Sequence, residues 1–139
     1  MLVSCRLIFL HDPKQNFSKR NILARAAQGI HFTAWEFVDH GVDLLPLLPA
    51  NRYVVGVETA KEAENLYTTT CLEECHQTDR TVCFLFGSES CGVRSHLLQL
   101  CDRLLFIPSP GTMKSLNVSQ AIAVVLFEQV RQRMRPRPG

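Results

Sequence analysis

Phe84-Leu85-Phe86-Gly87-Ser88-Glu89, read with Ser115-Leu116-Asn117-Val118-Ser119-Gln120-Ala121 further along, decides how this chain folds. Each stretch joins an apolar strand to a polar turn, and the second turn runs directly into a long helix. Ser115 and Asn117 are small hydrogen-bonding residues at a helix start, where backbone amides and side chains can converge on a ligand. Gly87 lets the chain bend sharply where the strand ends, with Glu89 just beyond it. Polar turns at strand ends are where an open α/β sheet places its site, so the pattern points to an enzyme.

The rest of the chain agrees with that architecture. Val3 to Leu10 is a short apolar run closed by His11-Asp12-Pro13, a strand and a turn. Between Asn16 and Gly29, Ile22, Leu23, Ala26 and Ala27 recur at helical spacing. Thr33 to Val38 fits a strand or a helix turn equally well. Leu44 to Leu48, broken by prolines, reads as a short helical turn. Tyr53 to Val57 and Thr81 to Phe86 are buried strands, Leu104 to Ile107 is a strand stopped by Pro108, and Val118 to Met134 is the final helix. Ala60 to Tyr67 reads as an amphipathic helix, Thr68 to Arg80 as a helix end and loop, and Ser95 to Cys101 as a short helix. Continuous apolar strands alternating with helices predict a mostly parallel sheet with helices on both faces.

The chain has 139 residues, 46% of them hydrophobic, enough for one domain with a proper core. No apolar run is long enough to span a membrane, and no small-residue cleavage site follows the short apolar start. The expected setting is therefore intracellular and reducing, cytoplasmic rather than organellar. Net charge is only +2, but Arg131, Arg133, Arg135 and Arg137 crowd a basic tail over about 131–139. Lys14, Lys19, Arg20 and Arg25 crowd an early segment. Such clusters bind polyanions or form solvated helix ends. Of the six cysteines, Cys71 and Cys75 lie beside His76 without a second pair at zinc-finger spacing. Cys5, Cys83 and Cys101 sit in apolar surroundings and read as small core residues.

Neither the Gly-x-Gly-x-x-Gly nor the Gly-x4-Gly-Lys solution to phosphate binding is present, and Gly87-Ser88 lacks the spacing of a nucleophile elbow. The two quoted turns do resemble motifs two and three of the SpoU/TrmH branch of the SPOUT methyltransferases. The second motif stands as Phe84-Leu85-Phe86-Gly87-Ser88-Glu89-Ser90-Cys91-Gly92. Cys101-Asp102, a strand, Ile107-Pro108 and then Ser115 to Ala123 match the third. Ser18 to Ala27 is similar to a contracted first motif, with Asn21 and Arg25 in the places of its Asn and Arg, although its glycine is missing.

The resemblance implies a single methyltransferase domain over 1–139 without the family's usual N-terminal extension. Its C-terminal segment would thread a deep trefoil knot, and two copies would form a homodimer. It implies S-adenosylmethionine as cofactor, S-adenosylhomocysteine as product, and the ribose 2′-OH of tRNA or rRNA as substrate, with no membrane partner. Arg25, Glu89, Ser115 and Asn117 would be the catalytic set, with Arg25 facing the hydroxyl. Val57, Glu58, Phe86, Gly87, Ile107, Met113, Ser115 and Leu116 would hold the cofactor, and Lys19, Arg20 and Asn21 the RNA. Two other readings stay open: a silent member that binds RNA or a partner subunit, and a SPOUT base methyltransferase.

Overall fold

The computed structural model describes residues 6–11, 34–39, 42–88, 91–112 and 116–135. The chain divides into two compact units, 1–47 and 48–139. In the first, β1 (Arg6–His11) pairs in parallel with β2 (Ala34–Asp39), in register from Arg6 opposite Ala34 to His11 opposite Asp39. The ambiguous stretch after Thr33 is thus a strand. Leu45–Leu47 forms a single 3-10 turn. There Leu47 N–H donates to the Leu44 carbonyl at 2.9 Å, and Leu45 N–H to Asp43 Oδ1 at 3.1 Å.

The second unit holds β3 (Arg52–Val57), β4 (Glu64–Asn65), β5 (Thr81–Phe86) and β6 (Arg103–Phe106). Its helices are α1 (Cys71–Gln77), α2 (Ser95–Leu98) and α3 (Val118–Met134). The four strands lie in the order β4-β6-β3-β5, and every pairing is parallel. β3 is central because Val54 and Val55 can be buried on both of its faces, at 3% and 0% exposure.

Alternation along the strands separates two faces. Tyr53, Val55 and Val57 stand opposite Val82, Phe84 and Phe86 of β5. That face joins Leu66, Leu105, Cys71 and Leu72 of α1, and Val124 and Val125 of α3 in one core. Burying each large aliphatic side chain there stabilises the fold by about 1.5–3 kcal/mol. The other face meets the turn after α2. A Cβ at Gly56 would lie 2.7 Å from Leu104 Cδ2 and 2.8 Å from Cys101 Sγ, so a larger residue there would force those side chains to move.

Asp102 fastens the start of β6 to β3. Its amide donates to the Val54 carbonyl at 2.8 Å, and its Oδ2 accepts the Val54 amide at 2.8 Å. Arg80 braces the same end, with its Nη2 donating to the Arg52 carbonyl at 2.8 Å and its guanidinium 4.8 Å from the centre of the Tyr53 ring.

Two expectations fail here. Residues 60–67 do not form a helix; they make turns around the two-residue β4, and the helix begins only at Cys71. Leu66 is fully buried while the adjacent Tyr67 is 51% exposed. Asn65 holds the turn, its Oδ1 accepting the Tyr67 amide at 2.9 Å and its carbonyl the Thr68 and Thr69 amides. Glu64 is fixed from a distance: Arg103 grips it at 2.6 and 2.9 Å, and Thr69 Oγ1 donates to it at 2.8 Å. The Arg103 guanidinium holds the Glu64 carboxyl below the usual carboxylate range.

The cysteines are also placed differently. Cys71 and Cys75 are buried in the core, whereas Cys83 and Cys101 are half-buried; Cys5 lies outside the described residues. Burial raises the Cys71 thiol and pushes Cys75 up to about 12, so both are small core groups rather than thiolates. Among the described residues no group of three metal-ligating side chains occurs. No helix among them is long and apolar enough to cross a membrane.

Candidate functional site

The C-terminal ends of β3, β5 and β6 open into one cleft of about 180 Å³. β3 is flanked by β5 on one side and β6 on the other; the chain runs from β3 to β4 at one edge and then crosses back to β5 at the opposite edge. Crevices at such points are where parallel sheets bind ligands. The cleft is lined by Val57 and Glu58 from the end of β3, Phe86 and Gly87 from the end of β5, and Ile107 and Leu116 beyond β6. These six include every expected cofactor residue within the described residues. Met113 and Ser115 lie outside them, as do Arg25, Glu89, Lys19, Arg20 and Asn21.

Seven further residues line the same space. Thr59, Ser88, Phe106 and Ser109 lie within two residues of the expected ones, so proximity to the strand ends was their signal, and Gly92 closes the second motif. Val118 and Ala121 come from the first turn of α3; their three-residue spacing places both on one helix face.

The loop after β5 is tightly folded. Gly92 has φ of +63°, the left-handed region that glycine enters without penalty. Its amide donates to the Ser88 carbonyl at 2.9 Å. A Cβ on Gly87 would fall 2.2 Å from the Gly92 carbonyl carbon, and one on Gly92 would fall 2.4 Å from Glu58 Oε2. The Glu58 carboxylate accepts the Thr59 amide at 2.9 Å through Oε1 and the Val93 amide at 2.7 Å through Oε2. It is the one charged side chain lining the cleft among the described residues.

Asn117 caps α3. Its Oδ1 accepts the Ser119 amide at 3.0 Å and the Ser119 hydroxyl at 2.7 Å, and its carbonyl accepts the Ala121 amide. The side-chain oxygen is thus committed to the helix, leaving the amide NH2 as the group able to meet a ligand. The cleft as a whole combines apolar side chains with backbone at strand ends, one wall being a loop packed tightly through Gly87 and Gly92. It can sandwich a flat apolar ring and hydrogen-bond its edge through the main chain.

The far end of α3 has its own polar group. Glu128, 7% exposed, accepts from Arg131 Nε and Nη2 at 2.7 and 2.6 Å and from Gln132 Nε2 at 2.8 Å. Arg131 holds that carboxyl below its ordinary value. Arg135 reaches Glu73 of α1 at 3.7 Å, so part of the basic run is engaged in ion pairs. Val125 lies in the core, whereas Phe127 and Met134 are each 78% exposed and Val130 is 44% exposed.

The sequence profile described as the SpoU rRNA Methylase family matches residues 2–127. The 23S rRNA (guanosine-2'-O-)-methyltransferase RlmB of Bordetella pertussis is 34% identical over 112 residues, covering 77% of this chain and 46% of that protein. The tRNA (guanosine(18)-2'-O)-methyltransferase of Thermus thermophilus is 51% identical over 51 residues, or 37% of this chain and 26% of that protein. The chain spans about half the length, or less, of the curated relatives it matches. The solved TrmH/SpoU tRNA modifying enzyme of A. aeolicus superposes with a TM-score of 0.70 at 24% identity, covering 93% of this chain and 61% of that one. This likeness supports the same α/β fold.

Proposed function

The chain belongs to the SpoU rRNA Methylase family, and from that membership we propose that it transfers a methyl group from S-adenosylmethionine to a ribose 2′-OH of tRNA or rRNA. The names of two relatives specify guanosine, so a guanosine nucleotide is the proposed acceptor. The observation that supports this most is the cleft: Val57, Glu58, Phe86, Gly87, Ile107 and Leu116 come from segments far apart in sequence and line one space.

The residues present fit the cofactor. Gly87 and Gly92 let the loop after β5 fold tightly against Glu58 beside the cleft, and Phe86, Phe106, Ile107 and Leu116 supply apolar walls for an adenine. The cleft is smaller than the roughly 300–1,000 Å³ typical of drug-sized ligands, so its apolar walls would hold the adenine part of the cofactor rather than the whole of it. When bound, S-adenosylmethionine supplies a methyl group activated by its sulfonium.

The chain's own part is positioning and electrostatics. A ribose hydroxyl is a weak nucleophile that needs a cationic neighbour to stabilise the developing alkoxide. Arg25 takes that role in this reading, because a guanidinium stays protonated and offers a planar fork of donors. Glu89 orients Arg25, Ser115 sits beside the methionine end, and the Asn117 amide NH2 orients the ribose. Lys19, Arg20 and Asn21 contact the RNA. The reading includes a single domain, a C-terminal trefoil knot and a homodimer joined through the exposed Phe127–Met134 face of α3. A silent member that binds RNA or a partner subunit without transferring a methyl group is the second reading, favoured by the contracted first motif.

Calorimetry with S-adenosylmethionine, followed by transfer of labelled methyl to total RNA and nucleoside analysis, tests the proposal. Cofactor binding with 2′-O-methylated nucleoside supports it; binding without transfer moves the case to the second reading. Methylation on a base would assign the family's other chemistry.

A further inference from the structure

We propose that Glu58 is the positioning residue of the cofactor cleft, acting through the loop after β5 rather than by touching the reacting atoms. The inference rests on the reading of the cleft as an S-adenosylmethionine site. Its basis is geometric. The carboxylate lies between two segments remote in sequence, with Oε1 on the Thr59 amide and Oε2 on the Val93 amide. It is itself fixed to the sheet, because the Glu58 amide donates to the Leu105 carbonyl at 3.0 Å.

Gly92 leaves only enough room for this contact, since a Cβ there would meet Oε2 at 2.4 Å. Gly87 is pressed on the other side of the same loop, where a Cβ would meet the Gly92 carbonyl carbon at 2.2 Å. The wall formed by Gly87, Ser88 and Gly92 is therefore held by one anionic acceptor and two absent side chains. A charge-assisted bond to a backbone amide is stronger than a neutral one. Both oxygens of Glu58 are occupied by protein amides. Its proposed contribution to a ligand is the placement of the loop, and its loss should appear in cofactor affinity more than in the rate at saturation.

The test compares wild type, Glu58→Ala and Glu58→Gln by amide hydrogen exchange at Val93, S-adenosylmethionine calorimetry, and methyl-transfer kinetics. In Glu58→Ala, loss of a charged acceptor should speed Val93 exchange and weaken cofactor binding, each about tenfold, with turnover at saturating cofactor within about twofold of wild type. Glu58→Gln keeps one carbonyl acceptor and should fall between the two; if the alanine variant does not fold, the glutamine variant carries the test. Unchanged Val93 exchange in a folded variant overturns the clamp. Faster exchange with wild-type cofactor affinity overturns the positioning role. Wild-type protein that shows no binding heat overturns the cofactor reading instead, and the exchange rate, which needs no ligand, then decides the clamp separately.

Discussion

The carboxylate of Glu58 accepts the amide hydrogen of Val93 at 2.7 Å, joining the end of β3 to a loop 35 residues further along. The same carboxylate fills the space that a side chain at Gly92 would take. Gly92→Ala should therefore suffer twice, from the left-handed backbone and from contact with Oε2. The backbone term alone is about 1–2 kcal/mol. Denaturant unfolding should show at least that loss, and Glu58→Ala combined with Gly92→Ala should cost less than the sum of the singles, because the clash disappears. Strict additivity would show that the two residues do not meet.

Gly87→Ala should disturb the cleft more than its small volume suggests. Its new methyl would meet backbone atoms, the Gly92 carbonyl carbon at 2.2 Å and the Val93 nitrogen at 2.4 Å, which cannot rotate aside. Overpacking of this kind costs about 1–3 kcal/mol. Chemical denaturation should register the loss, and calorimetry should show weaker S-adenosylmethionine binding than in wild type. A Gly87→Val protein with wild-type affinity would show that the loop does not bound the cofactor site.

Acid should weaken the Glu64–Arg103 pair. The Glu64 carboxyl sits below its ordinary value of 4.5 in the folded chain, chiefly through the Arg103 hydrogen bonds. The unfolded chain therefore takes up this proton at higher pH than the folded one. The pair's contribution is full above about pH 4.5 and is lost as pH falls through the depressed folded value. Both side chains are about one-third exposed, so the contribution is at most about 1 kcal/mol. Unfolding curves of Glu64→Gln should lie below wild type at pH 7, and the gap should narrow progressively as pH falls below about 4.5; a gap that stays constant under acid would exclude the ionic cause.

Phe127 and Met134 stand 78% exposed on α3. Phe127→Asp should leave the fold of the separate chain intact, since no core contact is removed. It should abolish self-association if this face joins two copies, because an anion cannot be buried there without a partner. Sedimentation at micromolar concentration should show wild type as a dimer and the variant as a monomer. A wild-type monomer would remove the proposed dimer.

Arg25→Ala should abolish methyl transfer while leaving cofactor affinity nearly unchanged, and Arg25→Lys should restore little. Arg20→Ala should weaken RNA binding moderately, with the salt dependence of a lost phosphate contact. Full turnover by the Arg25 variant with loss in the Arg20 variant would shift the first motif's register.

The strands were legible as unbroken apolar runs: the expected limits of Tyr53–Val57 and Thr81–Phe86 lie within a residue of the observed ones, although Thr81–Phe86 is half-buried rather than buried because it is an edge strand of its sheet. The cleft was legible from the polar turns that end them. Residues 60–67 misled because Ala60, Ala63 and Leu66 repeat at helical spacing. The Asn65 turn and the Glu64–Arg103 pair, a contact 39 residues apart, outweigh that periodicity. The start of α1 did carry a local signal, Thr69 and Thr70 ahead of Glu73 and Glu74. Thr69 Oγ1 accepts the Cys71 amide at 3.2 Å. No spacing rule announces that Glu58 reaches Val93, since that contact exists only after the sheet has formed.

Two carboxylates bracket β3, Asp102 at Val54 near one end and Glu58 at the other. Between them the strand is a gauge of fixed length. Inserting or deleting one residue there would pull the loop wall and the start of β6 out of step together and reverse the faces of the side chains between them. This segment can diverge by exchange of side chains but not by change of length. Variation in length belongs instead around Gly111, whose Cα faces open space.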